Sequence, residues 1–390
     1  MESLTWYNPT KILFGKDSIE KIGTEIKNAG LKKVLILFGS GSAKKTGVYD
    51  RVKKSLSDAG IADVEVWGVQ PNPLVSKVRE AIGIAKDAKN GVEGILAVGG
   101  GSVIDSGKAI AFGVKYSGDI WEIYDDPKKS PSKGLPLFSV LTLSATASEF
   151  NSGSVLSNPE KKKKVPMFFA NPVASAIDPT VQFKLPWRQV MCGAVDSLSH
   201  LMEQYFSLPN ETISTRQINL ALQKSVIETA KKIKKNNEDY EARANFVWAV
   251  SLALNGLPTF GLSGDWNVHY IEHAISAYND KIAHAEGLAV ISLAYYPILF
   301  KKGITHGQFE EWALTVFDTK SVPDAINKLR DLYIELEAPL TLEDLKLNAK
   351  DIDAIADIES LNKESGIPVS KLWKLSKDEV KEVLKAALKK

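Results

Sequence analysis

A chain of 390 residues is too long for one ordinary hydrophobic core and points to two domains, each able to bury a substantial interior. Apolar residues at 44% and charged residues at 25% exclude extensive disorder and fibrous structure. A formal charge of +2 gives no global basic field, so nucleic acid is not expected as a partner.

With Cys192 as the single cysteine, an intramolecular disulfide and a thiolate-built zinc site are both excluded, which fits a reducing compartment. The opening MESLTWYNPTKILFG lacks a basic segment followed by an apolar core. No stretch approaches the roughly 20 apolar residues of a membrane span. The expected location is the cytoplasm, with no membrane partner.

From Lys33 to Val140 apolar, β-branched runs alternate with amphipathic stretches, the pattern of a parallel sheet covered on both faces. Strands are predicted at Val34-Phe38, Val64-Gly68, Ile95-Val98 and Leu137-Leu141, and helices at Lys44-Ala59, Val75-Asn90 and Val103-Val114. This is a doubly wound, Rossmann-like α/β unit.

Two of its strand-to-helix turns are rich in glycine and serine. Gly39-Ser40-Gly41-Ser42 follows the first predicted strand, and Gly99-Gly100-Gly101-Ser102 leads into VIDSGKAIAFG. Glycine lets the backbone approach a phosphate, and the free amides of a helix N-terminus attract the anion. Neither turn has the GxGxxG spacing, so a tight turn without a ligand stays open as the plain alternative. Asp105 either caps its helix or meets a sugar hydroxyl; Lys108 is either a phosphate ligand or a solvated side chain. The segment TLSATASEFNSG follows a buried strand and sets hydroxyls at the carboxyl end of the sheet, where open α/β folds bind ligands. Loop hydroxyls satisfying backbone groups would look the same.

The run Lys161-Lys164 reads as the tip of a hairpin. After Pro186 helical periodicity takes over, with long amphipathic segments at Glu211-Lys234, Tyr240-Leu254 and Ala285-Phe300. The expected division is an α/β domain over 1–185 and an all-helical domain over 186–390.

In the helical half, Asp196 and His200 stand one turn apart, as do His269 and His273, and His284 follows an Asn279-Asp280 break. Four of the five histidines fall in these two segments. A lone histidine is more often a satisfied core or surface residue. Asp196 and His200 on one helix, His269 on a second and His284 opening a third can instead converge on one ion, and imidazoles with one carboxylate suit Zn(II) or Fe(II).

The motifs NPTKILFG, GGGSVIDSGK, TLSATASE, GAVDSLSHLMEQY, GDWNVHYIEHAISA and HAEGLAV resemble the iron-containing (group III) alcohol dehydrogenase family. The likeness is strongest to its butanol dehydrogenase and NADPH-dependent aldehyde reductase branch. It implies an N-terminal dinucleotide domain, a C-terminal helical domain and a divalent metal in the cleft between them, Fe(II) ahead of Zn(II). Carried over residue by residue, it implies Asp196, His200, His269 and His284 as ligands and His273 as a proton-relay residue beside them. It also implies that Gly99, Gly100, Gly101, Ser102 and Asp105 form the pyrophosphate and ribose motif and that Thr142 and Thr146 contact the cofactor. Counting back from Ile177-Asp178-Pro179, Lys162 fits the family's lysine near the nicotinamide. Two departures, Ala147 and Ala285 where glycine is usual, bear on loop geometry and leave the ligands intact.

The implied reaction moves a hydride between NAD(P)(H) and a primary alcohol or aldehyde such as butanol or butanal. Members resembling glycerol dehydrogenase or dehydroquinate synthase would use similar parts. A metal-dependent phosphohydrolase is the reading from another class, but it leaves both glycine-serine turns without a purpose. The first turn, with Gly39, Ser40, Gly41 and Ser42 followed by Lys44 and Lys45, contains no acid that would repel a 2′-phosphate, so NADP(H) is favoured over NAD(H). The resemblance further implies a homodimer, and the strand-like Trp6-Phe14 offers an edge for it.

Overall fold

Alternate residues of the apolar runs go to opposite faces of one parallel sheet, and that alternation builds two cores. The computed structural model describes residues 4–208, 212–363 and 370–388. Its first part runs β1 (Lys11–Phe14), α1 (Ile22–Asn28), β2 (Lys33–Phe38), α2 (Ser42–Lys45), α3 (Val48–Ala59), β3 (Ala62–Val66), α4 (Val75–Lys86), β4 (Gly94–Gly99), α5 (Gly101–Gly113), α6 (Ile120–Asp125) and β5 (Leu137–Leu141). An antiparallel hairpin, β6 (Gly153–Asn158) and β7 (Lys163–Phe168), and a last strand, β8 (Ala174–Ile177), complete it. The order across the main sheet is β1-β8-β5-β4-β2-β3, all parallel.

Val34, Ile36 and Phe38 of β2 join Leu96, Val98, Phe138 and Val140 beneath α1 and α3. Leu35 and Leu37 face the other way, with Ile95, Ala97 and Leu137, onto α4 and α5. That second core runs on without a break into the helical part, so the two halves share an apolar interior.

The helical part comprises α7 (Trp187–Tyr205), α8 (Ile213–Lys235), α9 (Tyr240–Leu252), α10 (Asn267–Tyr278), α11 (His284–Lys302), α12 (Gln308–Phe317), α13 (Val322–Glu335), α14 (Ile352–Lys363) and α15 (Lys377–Ala386). Among the described residues no strand follows β8, and no helix is long and apolar enough to cross a membrane. The β6–β7 hairpin lies across the join, with β6 on α5 and β7 on α10.

Several elements differ from the sequence reading. The helix expected over Lys44-Ala59 is broken at Gly47, whose φ of +78° is left-handed and which precedes α3. The strand expected at Val64-Gly68 begins and ends two residues earlier, because Gly68 turns out of it at φ +97°. β8 has no counterpart in the sequence reading, since ASAI is too short to show a period.

One glycine sets how closely the halves meet. A Cβ on Gly193 in α7 would lie 2.2 Å from the Ser144 carbonyl oxygen, so this helix seats against the end of the sheet only without a side chain there. Gly193→Ala is expected to destabilise the fold by about 1–3 kcal/mol through overpacking. Gly83 in α4 is exposed with nothing within 4 Å of its missing Cβ. Gly83→Ala should stabilise by roughly 0.5–1 kcal/mol. Urea denaturation midpoints of the two variants check the opposite signs.

Candidate metal and dinucleotide site

Three helices bring their ligand-type side chains to one point. In α7 the four-residue spacing stacks His200 over Asp196, with His200 Nε2 3.6 Å from Asp196 Oδ1. From α10, His269 Nε2 lies 3.8 Å from the same oxygen, and from the first residue of α11, His284 Nε2 lies 3.8 Å away. These separations are too long for hydrogen bonds. Tetrahedral bonds of about 2.1 Å to a shared ion would separate neighbouring donors by about 3.4 Å. Asp196 Oδ1 and His269 Nε2 are buried without a hydrogen-bond partner, which a polar interior does not tolerate unless something else satisfies them. The donor set therefore fits a divalent cation, with nitrogen and oxygen donors that accept Fe(II) or Zn(II).

Behind the imidazoles stand two fully buried carboxylates that the sequence reading missed. Glu203 of α7 accepts a hydrogen bond from the Nδ1–H of His269 and from the backbone N–H groups of Val268 at 2.8 Å and His269 at 3.2 Å, two of the free amides at the start of α10. Glu272 of α10 accepts hydrogen bonds from the Nδ1–H of His284 and from Lys164 Nζ, the latter at 3.2 Å. Their signal was present: both helices read His-x-x-Glu, at 200–203 and 269–272. The pairing is crossed, since Glu203 of α7 orients an imidazole of α10 and Glu272 of α10 orients the imidazole that opens α11.

The electrostatics follow from burial and these partners. Burial lowers His200 to about 4 against the pull of Asp196. Burial opposes protonation of His269 as well, but Glu203 and Asp196 raise it to about 9. Burial, with Lys164 nearby, holds His273 and His284 well below the usual imidazole range. Burial would raise Asp196, and the surrounding imidazoles more than reverse it, keeping this carboxyl well below its usual range.

His273 sits beside the cluster, its ring centroid 5.3 Å from His284 and 6.2 Å from His269. The lysine brought here is not Lys162, which is exposed in the hairpin turn with φ +50°. Lys164, two residues on, is buried and reaches Asn72 Oδ1 at 3.0 Å and His284 Nδ1 at 3.2 Å. Four consecutive lysines give no period, and only the inward pleat of β7 separates this one from its neighbours. Asn72 in turn donates to the carbonyls of Asp280 at 3.0 Å and Ile282 at 3.1 Å, gripping the break before α11.

The two glycine-serine turns lie at the carboxyl ends of β2 and β4, which are neighbours in register through Phe38 and Val98. Thr142 follows β5, the next strand, so both turns and the hydroxyl segment share one rim of the sheet. Gly39 and Gly41 are half-buried while Ser40 and Ser42 are exposed, and Gly41 has φ +111°. Gly99 closes β4, Gly100 precedes α5, and Ser102 lies in its first turn. A Cβ on Gly101 would lie 2.2 Å from Thr146 Oγ1, so the turn and the hydroxyl segment meet closely.

Asp105 and Lys108 are both held by protein partners across the sheet rim. Asp105 is buried, accepting from Ser148 Oγ at 2.5 Å and from the Val155 N–H at 2.9 Å. Lys108 is buried and donates to Ser148 Oγ at 2.8 Å, Asn151 Oδ1 at 3.0 Å and the Gly153 carbonyl at 2.6 Å. Together they fasten the hydroxyl segment to α5. Within that segment Ala147 adopts φ +51°, the left-handed conformation in which glycine is unstrained, so the alanine there keeps the loop geometry at a modest conformational cost.

Residues 9–179 match the family model of the iron-containing alcohol dehydrogenases, and residues 190–388 match that of the family's C-terminal region. The chain belongs to the iron-containing alcohol dehydrogenase family and is an NAD(P)-dependent oxidoreductase. It is 39% identical to a probable NADH-dependent butanol dehydrogenase of Bacillus subtilis, over 100% of both chains. It is 34% identical to the NADPH-dependent aldehyde reductase YqhD of Escherichia coli, over 91% of this chain and 92% of that one. The crystal structure of an NADH-dependent butanol dehydrogenase from Thermotoga maritima superposes with a TM-score of 0.95 at 41% identity, covering 100% of this chain and 99% of that one.

Orienting carboxylates typically change metal affinity by about 10–100-fold. Glu203→Ala is expected to weaken divalent-metal binding by about that factor while leaving the helical circular dichroism intact, as a competition titration with a chromogenic chelator would read.

Proposed function

We propose that the chain reduces short aldehydes and oxidises primary alcohols, butanal and butanol among them, with Asp196, His200, His269 and His284 holding a divalent ion, Fe(II) ahead of Zn(II). The observation that carries this reading is the convergence of three imidazole Nε2 atoms on one carboxylate oxygen at 3.6–3.8 Å. The names of the relatives support the substrate class.

When bound, the ion supplies Lewis-acid polarisation of the substrate oxygen and the dinucleotide supplies the hydride. The chain's own residues do the rest. Gly99, Gly100, Gly101 and Ser102 offer backbone amides to a pyrophosphate at the start of α5, and Thr142 and Thr146 offer hydroxyls along the same rim. Asp105 and Lys108 act by fixing that rim. Glu203 and Glu272 hold the imidazoles in one tautomer with Nε2 inward. His273, kept neutral, is the group placed to exchange a proton near the substrate oxygen. Lys164 takes the part that Lys162 was expected to play beside the cofactor.

A division at Pro186 is supported by the change from the last strand to α7. A homodimer is supported by β1, an edge strand with Phe14 exposed beside Trp248 of α9. The cytoplasm is supported by the single cysteine. NADP(H) use is supported by the first turn, where Ser42 and Lys45 are exposed and no acid intervenes. The butanol dehydrogenase relatives carry NADH in their names and the aldehyde reductase NADPH, so the turn is the argument for the phosphate.

Butanal with reduced cofactor should consume absorbance at the reduced-nicotinamide band. His200→Ala and His269→Ala should lose both metal and turnover, whereas His273→Ala should keep its metal and lose mainly turnover. Full metal occupancy in the first two variants would remove them from the ligand set.

Steady-state kinetics should give NADPH the higher kcat/KM, and Ser42→Asp should shift the preference towards NADH by placing a like charge beside the phosphate. A clear NADH preference in the unmodified enzyme would sink the reading of the turn.

A further inference from the structure

Trp266, the residue before α10, has φ +65° and ψ +7°, a left-handed backbone that a bulky side chain rarely adopts. Gly264 makes room for it, because a Cβ there would lie 2.3 Å from Trp266 Nε1. The residues on either side are locked. Asp265 accepts from Asn267 Nδ2 at 3.1 Å, from Tyr295 and from Ser370, and its own N–H donates to the Glu203 carbonyl at 2.8 Å. Asn267 donates further to Tyr295 Oη at 2.9 Å and to the Trp373 carbonyl at 2.8 Å. Backbone strain persists only where the surroundings over-determine it, and such places cluster at ligand clamps.

The position of the indole gives this strain a purpose. Its ring centroid lies 5.3 Å from that of His269 and 6.1 Å from that of His200, at interplanar angles of 74° and 61°. Asp265 and Asn267 are buried, while Trp266 between them is only half-buried. A side chain serving the core alone would follow its neighbours inward. This one packs against the margin of the core and stands beside two candidate ligand rings with part of its indole left uncovered.

We infer that Trp266 is the apolar wall of the substrate pocket and selects unbranched alkyl chains. The inference rests on the alcohol dehydrogenase reading above. With the reacting carbon at the histidine cluster, a straight alkyl chain lies flat along the indole and keeps contact over its length. A branch beside the reacting carbon collides with the plane, and a hydroxylated chain finds an apolar face where it needs hydrogen-bond partners.

The test compares kcat/KM for butanal, 2-ethylbutanal and glycolaldehyde in the unmodified enzyme, Trp266→Ala and Trp266→Phe, with metal content measured on each. Methylene-sized differences in an apolar pocket are worth about 10–200-fold, so Trp266→Ala should raise the 2-ethylbutanal to butanal ratio by about tenfold or more. The glycolaldehyde to butanal ratio should rise with it while metal content stays unchanged. Trp266→Phe should move both ratios in the same direction by less, and it decides the matter if the alanine variant does not fold. Unchanged ratios, or metal loss in both variants, would overturn the assignment, the latter by making Trp266 a support for His269. If the unmodified enzyme reduces none of the three aldehydes, the alcohol dehydrogenase reading fails first; if butanal is reduced and the ratios stay fixed, only the wall fails.

Discussion

A buried carboxylate behind each of two imidazoles is the constraint on which the rest of the site depends. Glu203 and Glu272 are both fully buried, and a carboxylate in such a place is tolerable only when its oxygens are saturated with donors. Glu203 meets that demand with a ring N–H and two backbone amides of α10, and Glu272 with a ring N–H, the Ser276 hydroxyl and the Lys164 ammonium. These partners fix how α7, α10 and α11 lie against one another. The inward-facing donor atoms are thus a by-product of satisfying the charges behind them, and Asp196 needs only the helical spacing to His200 to join them.

The sheet meets this constraint from the other side. Lys164 comes from the hairpin and Asn72 from the segment before α4, so the α/β part contributes directly to the shell around His284. Gly193 lets α7 approach the Ser144 carbonyl, and Gly101 lets α5 approach Thr146. The rim that would cradle a dinucleotide and the helices that would cradle a metal are therefore parts of one packed body sharing a core.

Much of this was legible in the sequence, for physical reasons that also mark where legibility ends. Continuous apolar, β-branched runs pointed to β2, β4 and β5, and helical spacing brought Asp196, His200, His269 and His284 into a single hypothesis. Lys162 and Lys164 show the limit: both sit in a run of identical residues, and which of them turns inward depends on the hairpin register, a long-range property. Asp105 and Lys108 show another, since their partners Ser148, Asn151 and Val155 lie 40 to 50 residues away along the chain. Glu203 and Glu272 were within reach of a local rule, the repeated His-x-x-Glu, but the crossing of their partners needed three dimensions.

The grip of Asn72 on the break before α11 bears on the order in which the molecule assembles. Its amide bonds carbonyls 208 and 210 residues further along. Closing so long a loop costs chain entropy before any contact rewards it, so local helices and neighbouring strand pairs form sooner. On that ordering the first turn of α11 is seated after the sheet and α10, and His284, last of the four along the chain, is the last ligand to join. A growing chain therefore carries an incomplete donor set until His284, at the first residue of α11, has emerged.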